Sequence, residues 1–322
     1  MSPYRHLIAM SLERELLAFS PTRPTVLTVG NFDGVHIGHQ ALLQRLAEAS
    51  REAELLPGVI TFREHPLSLL SPGNAPLRLA SVKDNIDLIK SLGVEKVIPL
   101  TFDTTLAKMG ARDFALLLKD RLDMKGLILG WDFAMGHRRS GTLSALADLG
   151  QELEFTTEVV PAITLEGEVV SSSAIRRALA DGNIGKANAM LGRPFHLTGP
   201  ITHGAGRGAQ LGFPTANLDI SPNQALPADG VYATRVHIGD RPYPSVTAIS
   251  PCPTFGGTQR TVEIHLLDFT GNLYHQELRL DIIGHLRTVH RFENAEALRD
   301  QIGRDVTQAR ELLRVGEIKS AQ

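Results

Sequence analysis

The chain is short of the features that would assign it to a class at once. It has one cysteine, Cys252, among 322 residues. That excludes an intramolecular disulfide and any metal site built from clustered cysteines. Neither sign of charge dominates: 33 lysines and arginines stand against 35 aspartates and glutamates, for a net charge of −2 and a pI near 6.6. That balance gives no basic surface for nucleic acid. No apolar run approaches the roughly 20 residues that cross a bilayer. Arg5, Glu13, Arg14 and Glu15 interrupt the apolar positions of residues 1–17. A secretory leader has an unbroken apolar centre, so none is expected here. Internal repeats and low-complexity segments are absent as well. The expectation is a soluble cytoplasmic protein with no membrane and no nucleic-acid partner.

What is present is ordinary core-forming material, with 43% hydrophobic residues. A chain of this length is long for one domain, and two are expected. In the first half, short apolar runs at 25–29, 58–62, 94–100 and 126–129 read as buried strands. Residues 40–53, 82–92 and 112–122 between them carry helical periodicity. This alternation predicts an α/β domain with a parallel sheet covered on both faces. Ligands of such sheets lie beyond the C-terminal strand ends. Gly30, His65 and Asp132 each follow a predicted strand, so they are expected to converge there.

From Phe195 the pattern changes. Alternating runs at 231–238, 244–249, 260–269 and 273–282 are separated by Gly239-Asp240, Gly256-Gly257 and Thr270-Gly271-Asn272. Such spacing predicts an antiparallel barrel or sandwich. A helical stretch at 295–313 closes the chain. The border is expected near residues 183–194, giving domains 1–185 and 186–322.

The densest chemical signal is Gly30-Asn31-Phe32-Asp33-Gly34-Val35-His36-Ile37-Gly38-His39, directly after the first apolar run. Strand, glycine turn and helix start come in that order. A helix start offers unpaired N–H groups and the positive end of a dipole, which suits phosphate. His36 and His39 on that first turn add donors, and Gly30, Gly34 and Gly38 let the backbone come close. A tight turn with solvent-facing histidines would use the same residue types; the ten-residue context favours the phosphate site. Ser171-Ser172-Ser173-Ala174-Ile175-Arg176 reads as a helix N-cap, which is compatible with anion binding. Arg176 offers a planar donor fork. Residues 199–208 form a glycine-spaced loop, followed by Leu211-Gly212-Phe213-Pro214-Thr215-Ala216-Asn217. In Thr261-Val262-Glu263-Ile264-His265-Leu266, strand period two puts Thr261, Glu263 and His265 on one face.

These motifs resemble those of the bacterial bifunctional FAD synthetases, which join a riboflavin kinase to an FMN adenylyltransferase. The resemblance runs to about residue 313 and covers nearly the whole chain. It implies a Rossmann-like nucleotidylyltransferase domain, then an antiparallel six-stranded-type riboflavin kinase barrel with a C-terminal helix. It also implies ATP, riboflavin and FMN as substrates and Mg²⁺ as cofactor. For adenylyl transfer it implies that Gly30, Asn31, Phe32, Asp33 and Gly38 line the ATP site. His36 and His39 would stabilise charge on the α- and β-phosphates. Arg176, with Ser171 and Ser172, would hold the leaving pyrophosphate. Thr61-Phe62-Arg63-Glu64-His65-Pro66 is similar to the family's Thr-Phe-x-Pro-His-Pro, with Glu64 for the first proline, and implies His65 as a flavin or flavin-phosphate contact. Gly130-Trp131-Asp132-Phe133-Ala134-Met135-Gly136 resembles Gly-x-Asp/Asn-Phe-x-Phe-Gly and implies Asp132 and Phe133 beside the flavin. Met135 replaces a phenylalanine there, Trp131 an acidic residue, and Asn85 stands where lysine is usual.

For the kinase, the resemblance implies Gly204, Gly206, Arg207 and Gly212 at the ATP phosphates, and Thr215 and Asn217 at Mg²⁺. Glu263 would be the base that takes the proton of the riboflavin 5′-hydroxyl. Leu286-Arg287-Thr288-Val289-His290-Arg291-Phe292 resembles Leu-Arg-x-Glu-x-Lys/Arg-Phe, with Val289 for the glutamate, and implies Arg287 and Phe292 at the flavin. Two other readings compete: an enzyme with only the adenylyltransferase active, and a catalytically silent flavin-binding sensor. The intact phosphate-handling set argues against the sensor. The oligomeric state is left open.

Overall fold

In the computed structural model, which describes residues 12–19, 21–94, 96–203, 207–239, 241–251 and 260–320, the run Thr25–Val29 forms a strand (β1) buried along its whole length. It can be apolar on both faces because it is central. The sheet order is β3-β2-β1-β4-β5, all parallel, with β2 at Leu56–Phe62, β3 at Lys96–Leu100, β4 at Met124–Gly130 and β5 at Thr156–Val160. Helices lie on both faces: α1 at 12–17, α2 at Ile37–Glu52, α3 at Pro66–Leu70, α4 at Val82–Ser91, α5 at Thr104–Lys108, α6 at Ala111–Leu122 and α7 at Leu143–Leu153. Period two divides β1 between two cores. Leu27 and Val29 pack with Phe114, Leu118 and Leu146 on one face, while Val26 packs with Leu42, Leu43 and Leu46 of α2 on the other. A small hairpin follows, β6 at Thr164–Leu165 and β7 at Glu168–Val169.

The chain divides into two compact units: residues up to Pro76 with Val82–Val170, and Leu77–Ser81 with the chain from Ser171 onward. In the first unit the strand order runs outward from β1 in both directions. Connections after β1 and β4 therefore leave to opposite faces, and a crevice opens between them at the C-terminal strand ends.

The second unit starts with α8 at Ser172–Ala180 and α9 at Ile184–Leu191. A closed barrel follows, in the order β10-β11-β12-β9-β8-β13. Its strands are β8 (Phe195–Thr202), β9 (Ala216–Leu218), β10 (Gly230–Ile238), β11 (Arg241–Pro251), β12 (Arg260–Leu266) and β13 (Glu277–Arg287). A short helix, α10 (Arg207–Gln210), precedes β9, and α11 (Ala295–Ser320) ends the described chain. The barrel decides between the two architectures that the alternating runs allowed.

Strands β5, β8 and β9 lie outside the sequence-based expectation, each for a local reason. No residue of β5 is buried, so it has no apolar run. β8 contains Gly199-Pro200, which reads as a turn. In the structure Gly199 is a close-approach glycine: a Cβ there would strike the Asp219 carbonyl where β8 meets β9. β9 has only three residues. Gly256-Gly257 and Asp240 lie outside the described residues.

α11 covers the barrel through Ala309 and Leu313, packed on Val231, Ala233 and Val246. One buried ion pair locks it in place. The Arg287 guanidinium at the end of β13 donates to Asp305 through Nε at 2.9 Å and Nη2 at 2.9 Å, and Gln301 Nε2 donates to Asp305 at 2.8 Å. The Asp305 side chain is 3% exposed and that of Arg287 19%. Asp305→Ala leaves the arginine buried without its partner. The expected cost is about 3 kcal/mol, read as a lower urea midpoint for the second unit by far-UV circular dichroism.

Candidate active sites

The turn after β1 is held from several elements. The Gly30 N–H donates to Ile60 O at 3.0 Å and the Thr61 hydroxyl to Asn31 O at 3.2 Å, which ties the turn to β2. Phe32, Gly34 and Val35 then adopt left-handed backbone, with φ of 46°, 80° and 39°. This is rare for a β-branched residue, and each non-glycine case costs on the order of 1–3 kcal/mol. Burial offsets it: the Phe32 and Val35 side chains sit in the core beneath α2. The Gly34 N–H donates to Asn85 Oδ1 of α4 at 2.9 Å, and Gln40 Nε2 donates to Val35 O at 2.9 Å.

This path delivers His36 to the N-cap of α2, where its Nδ1 accepts the His39 N–H at 3.3 Å. Nδ1 of His36 is thus an acceptor, and a neutral His36 carries its proton on Nε2. The two imidazoles stack with centroids 3.7 Å apart and planes 16° from parallel. A Cβ on Gly38 would come within 3.2 Å of the His36 ring, a tight contact that the ring would have to shift to relieve. Burial holds His39 well below the usual imidazole pKa, and repulsion from His36 adds to it. Nδ1 of His39 is buried with no hydrogen-bond partner among the described residues.

The other expected residues of the first unit surround the same strand ends. His65 follows β2 and caps α3, its Nδ1 accepting the Leu67 N–H at 3.1 Å. Asp132 and Phe133 follow β4. Asp132 is exposed, and its carbonyl accepts from Arg139 Nη2 at 3.1 Å. Phe133 is partly buried against the core that holds Met135, and Trp131 is exposed. Ser171 and Arg176 belong to the second unit. Ser171 Oγ caps α8 by accepting the Ala174 N–H at 3.2 Å, and Arg176 Nε donates to Leu77 O at 2.6 Å. Sequence reasoning gave Asn85 and Thr61 no part in the turn. The bond from Gly34 to Asn85 spans 51 positions, and no local pattern announces it.

In the barrel, the β12–β9 register sets Glu263 opposite Asn217. Directly paired residues have Cβ atoms about 4.5–5.5 Å apart. Val262 and Ile264 are buried, and Glu263 alternates with them onto the other face beside Thr261 and His265. The loop before β9 folds on itself. The Phe213 N–H donates to Gly208 O at 2.9 Å, and a Cβ on Gly208 would meet Thr215 Oγ1 at 3.2 Å. Gly212 is left-handed at φ 87°. His265 Nδ1 donates to Pro214 O at 2.9 Å, and its ring meets Phe213 edge-on. Arg287 lies 5.6 Å from the Phe292 ring, while its donors go mainly to Asp305. Gly204, Gly206 and the Arg207 side chain lie outside the described residues.

A family model described as FAD synthetase matches residues 19–174, and one described as riboflavin kinase matches residues 191–313. A bifunctional riboflavin kinase/FMN adenylyltransferase of Escherichia coli (strain K12) is 38% identical over 297 residues, covering 92% of this chain and 95% of that protein. The chain belongs to the bifunctional riboflavin kinase/FMN adenylyltransferase family. The homologue of Pseudomonas fluorescens is 38% identical over 306 residues, covering 94% of this chain and 98% of its own. A crystal structure described as a macrolide-efflux protein from Streptococcus pneumoniae aligns with a TM-score of 0.86 and 28% identity, covering 93% of this chain and 97% of that one. The enzyme phosphorylates riboflavin to FMN and adenylylates FMN to FAD, with ATP as the donor in both steps. Both halves match enzyme families, so neither the single-activity reading nor the silent sensor is favoured.

The depressed His39 pKa makes stability depend on pH with a definite sign. Below the ordinary imidazole value of 6.5 the unfolded chain binds a proton that the folded one refuses. Stability of the ligand-free first unit therefore falls as pH drops from 7 toward the folded pKa, by at most about 1.4 kcal/mol per pH unit. His39→Asn should flatten that slope, measured as urea midpoints between pH 7 and 5.

Proposed function

We propose that residues 1–185 carry adenylyl transfer and residues 186–322 carry the kinase. The matched spans 19–174 and 191–313 support this division. The observation that carries the first half is the stacked His36–His39 pair at the start of α2, with one buried imidazole nitrogen that has no hydrogen-bond partner among the described residues.

An FMN phosphate oxygen attacks the α-phosphorus of ATP and pyrophosphate leaves. No covalent intermediate is needed, so positioning and charge stabilisation supply the catalysis. His36 donates from Nε2, because its Nδ1 is held by the cap. His39, stacked on His36, adds a second imidazole donor on the same first turn. Phosphate charge opposes both causes of the low His39 pKa, so nucleotide binding favours protonation of the pair. Gly30, Asn31, Phe32, Asp33 and Gly38 form the backbone of the nucleotide site. Ser171, Ser172 and Arg176 hold pyrophosphate on the strength of their motif. His65, Asp132 and Phe133 face FMN, supported by their places after β2 and β4.

In the kinase half, Glu263 accepts the proton of the riboflavin 5′-hydroxyl as the oxygen attacks the γ-phosphorus of ATP, the bond to the β-phosphate oxygen breaks and ADP leaves. Its register with Asn217 supports that role. The Thr215 hydroxyl and the Asn217 amide oxygen, beside a carboxylate, are hard oxygen donors. Such a set fits Mg²⁺, which keeps waters and takes substrate phosphates as its other ligands. When bound, the ion neutralises phosphate charge. Gly204, Gly206, Arg207 and Gly212 form the phosphate loop. Phe292 and Arg287 border the flavin, Arg287 chiefly by fixing the wall through Asp305. We read the enzyme as cytoplasmic, with no nucleic-acid partner; no helix among the described residues is long and apolar enough to cross a membrane.

His36→Ala and His39→Ala should each lower FAD formation from FMN by about a hundredfold, with a smaller loss of ATP affinity and a normal kinase rate. Steady-state chromatography of riboflavin, FMN and FAD reads all three flavins; near-normal turnover in both variants would falsify the phosphate-site reading. Glu263→Gln should abolish FMN formation from riboflavin while FAD formation from added FMN continues. Equal loss of both activities in a folded variant refutes the division. Asn217→Ala should raise the Mg²⁺ concentration needed for half-maximal kinase rate, and a titration that superimposes on wild type removes it from the metal site.

A further inference from the structure

The structure assigns Asn85 a positioning role in adenylyl transfer, exerted through the Gly34 amide. The assignment rests on the reading of His36 and His39 as phosphate-handling groups. The turn that presents them is left-handed at Phe32, Gly34 and Val35. Two of these are not glycine and one is β-branched, so local preference does not keep the chain on this path. Three side-chain bonds hold it from other elements. Thr61 of β2 takes the Asn31 carbonyl at the entry to the turn, and Gln40 of α2 takes the Val35 carbonyl at its exit. Asn85 takes the middle. It reaches in from α4, is 8% exposed, and accepts the Gly34 N–H at 2.9 Å.

That bond orients the peptide between Asp33 and Gly34. His36 lies two residues further on, fixed by its own cap to α2 and by the stack on His39. Rotation of the Asp33–Gly34 peptide changes ψ of Asp33 and φ of Gly34, and a glycine tolerates that change, so nothing in the local backbone resists it. The Asn85 bond supplies the resistance and so fixes the path by which the chain reaches His36. A displaced His36 no longer matches the charge that develops at the transition state, although the helix start still binds nucleotide. The side chain must therefore be an acceptor.

The test compares Asn85→Leu, which keeps the volume and removes the acceptor, with Asn85→Asp, which keeps an acceptor. Three quantities are measured on the full chain: kcat and KM for ATP in FAD formation from FMN, the kinase rate, and amide hydrogen exchange at Gly34. Asn85→Leu should lower kcat about 10- to 100-fold, leave KM for ATP nearly unchanged and speed Gly34 exchange. Asn85→Asp should retain most of kcat and slow exchange, and the kinase rate should be normal in both. Normal kcat in Asn85→Leu with fast Gly34 exchange overturns the assignment, as does unchanged exchange. Equal loss in the Leu and Asp variants also overturns it, because packing and not the acceptor would then be responsible. Where Asn85→Leu gives no folded first unit, judged by loss of protection of the β1 amides in the same exchange experiment, Asn85→Ser replaces it, since its hydroxyl is too short to reach the amide. His36→Ala run in parallel separates the two readings. Normal turnover there faults the histidine assignment, whereas its loss beside a normal Asn85→Leu faults Asn85 alone.

Discussion

A chain segment that must turn left-handed three times between β1 and α2 is the constraint on which the first unit depends. The segment leaves a strand buried on both faces and enters a helix whose first turn carries two stacked imidazoles. Nothing in the local preferences of Phe32 or Val35 favours this path. Tertiary structure enforces it: both side chains are buried under α2, and the turn is bonded to β2, α2 and α4. Strain held in this way places the cap of α2 where the strand order reverses and the crevice opens.

The histidine pair follows from the same economy of space. His36 is both the cap of the helix, through Nδ1, and one ring of the stack. Burial makes His39 resist a positive charge, and the parallel His36 ring at this distance adds to that resistance. In the ligand-free chain His39 therefore resists protonation, although it lies at the positive end of a helix. On the proposed reading, a bound polyphosphate would supply negative charge that favours protonation there, so the proposed catalytic role and ligand-free stability pull in opposite directions at His39.

The barrel reaches its site by another route. No strained segment is needed to bring Glu263 to Asn217, because antiparallel register does so. Closing the barrel fixes that register, and closure in turn depends on β9, three residues long, and on Gly199, where β8 and β9 approach too closely for a side chain. The Arg287–Asp305 pair then clamps α11 over β13. A residue that the family pattern associates with flavin thus has its main bonds inside the protein.

Much of the architecture was legible in the residues. Thr25–Val29 announced a buried strand because β-branched and apolar residues fill it, and the helices beginning at Ile37, Val82 and Ala111 announced themselves by periodicity. The histidine motif marked a helix start by its order alone, and Glu263 showed its face by alternation. What stayed hidden depended on partners far along the chain. β5 pairs with β4 without a buried residue of its own, and β9 exists only because β8 and β12 flank it. Asn85 looked like a departure until Gly34 met it across 51 positions. Periodicity and motif order are properties of neighbouring residues, so the sequence alone determined the fold class, the two halves and the chemical groups at hand. Register, strain and the acceptor for a buried amide depend on distant residues brought into contact, and only the tertiary structure decided those.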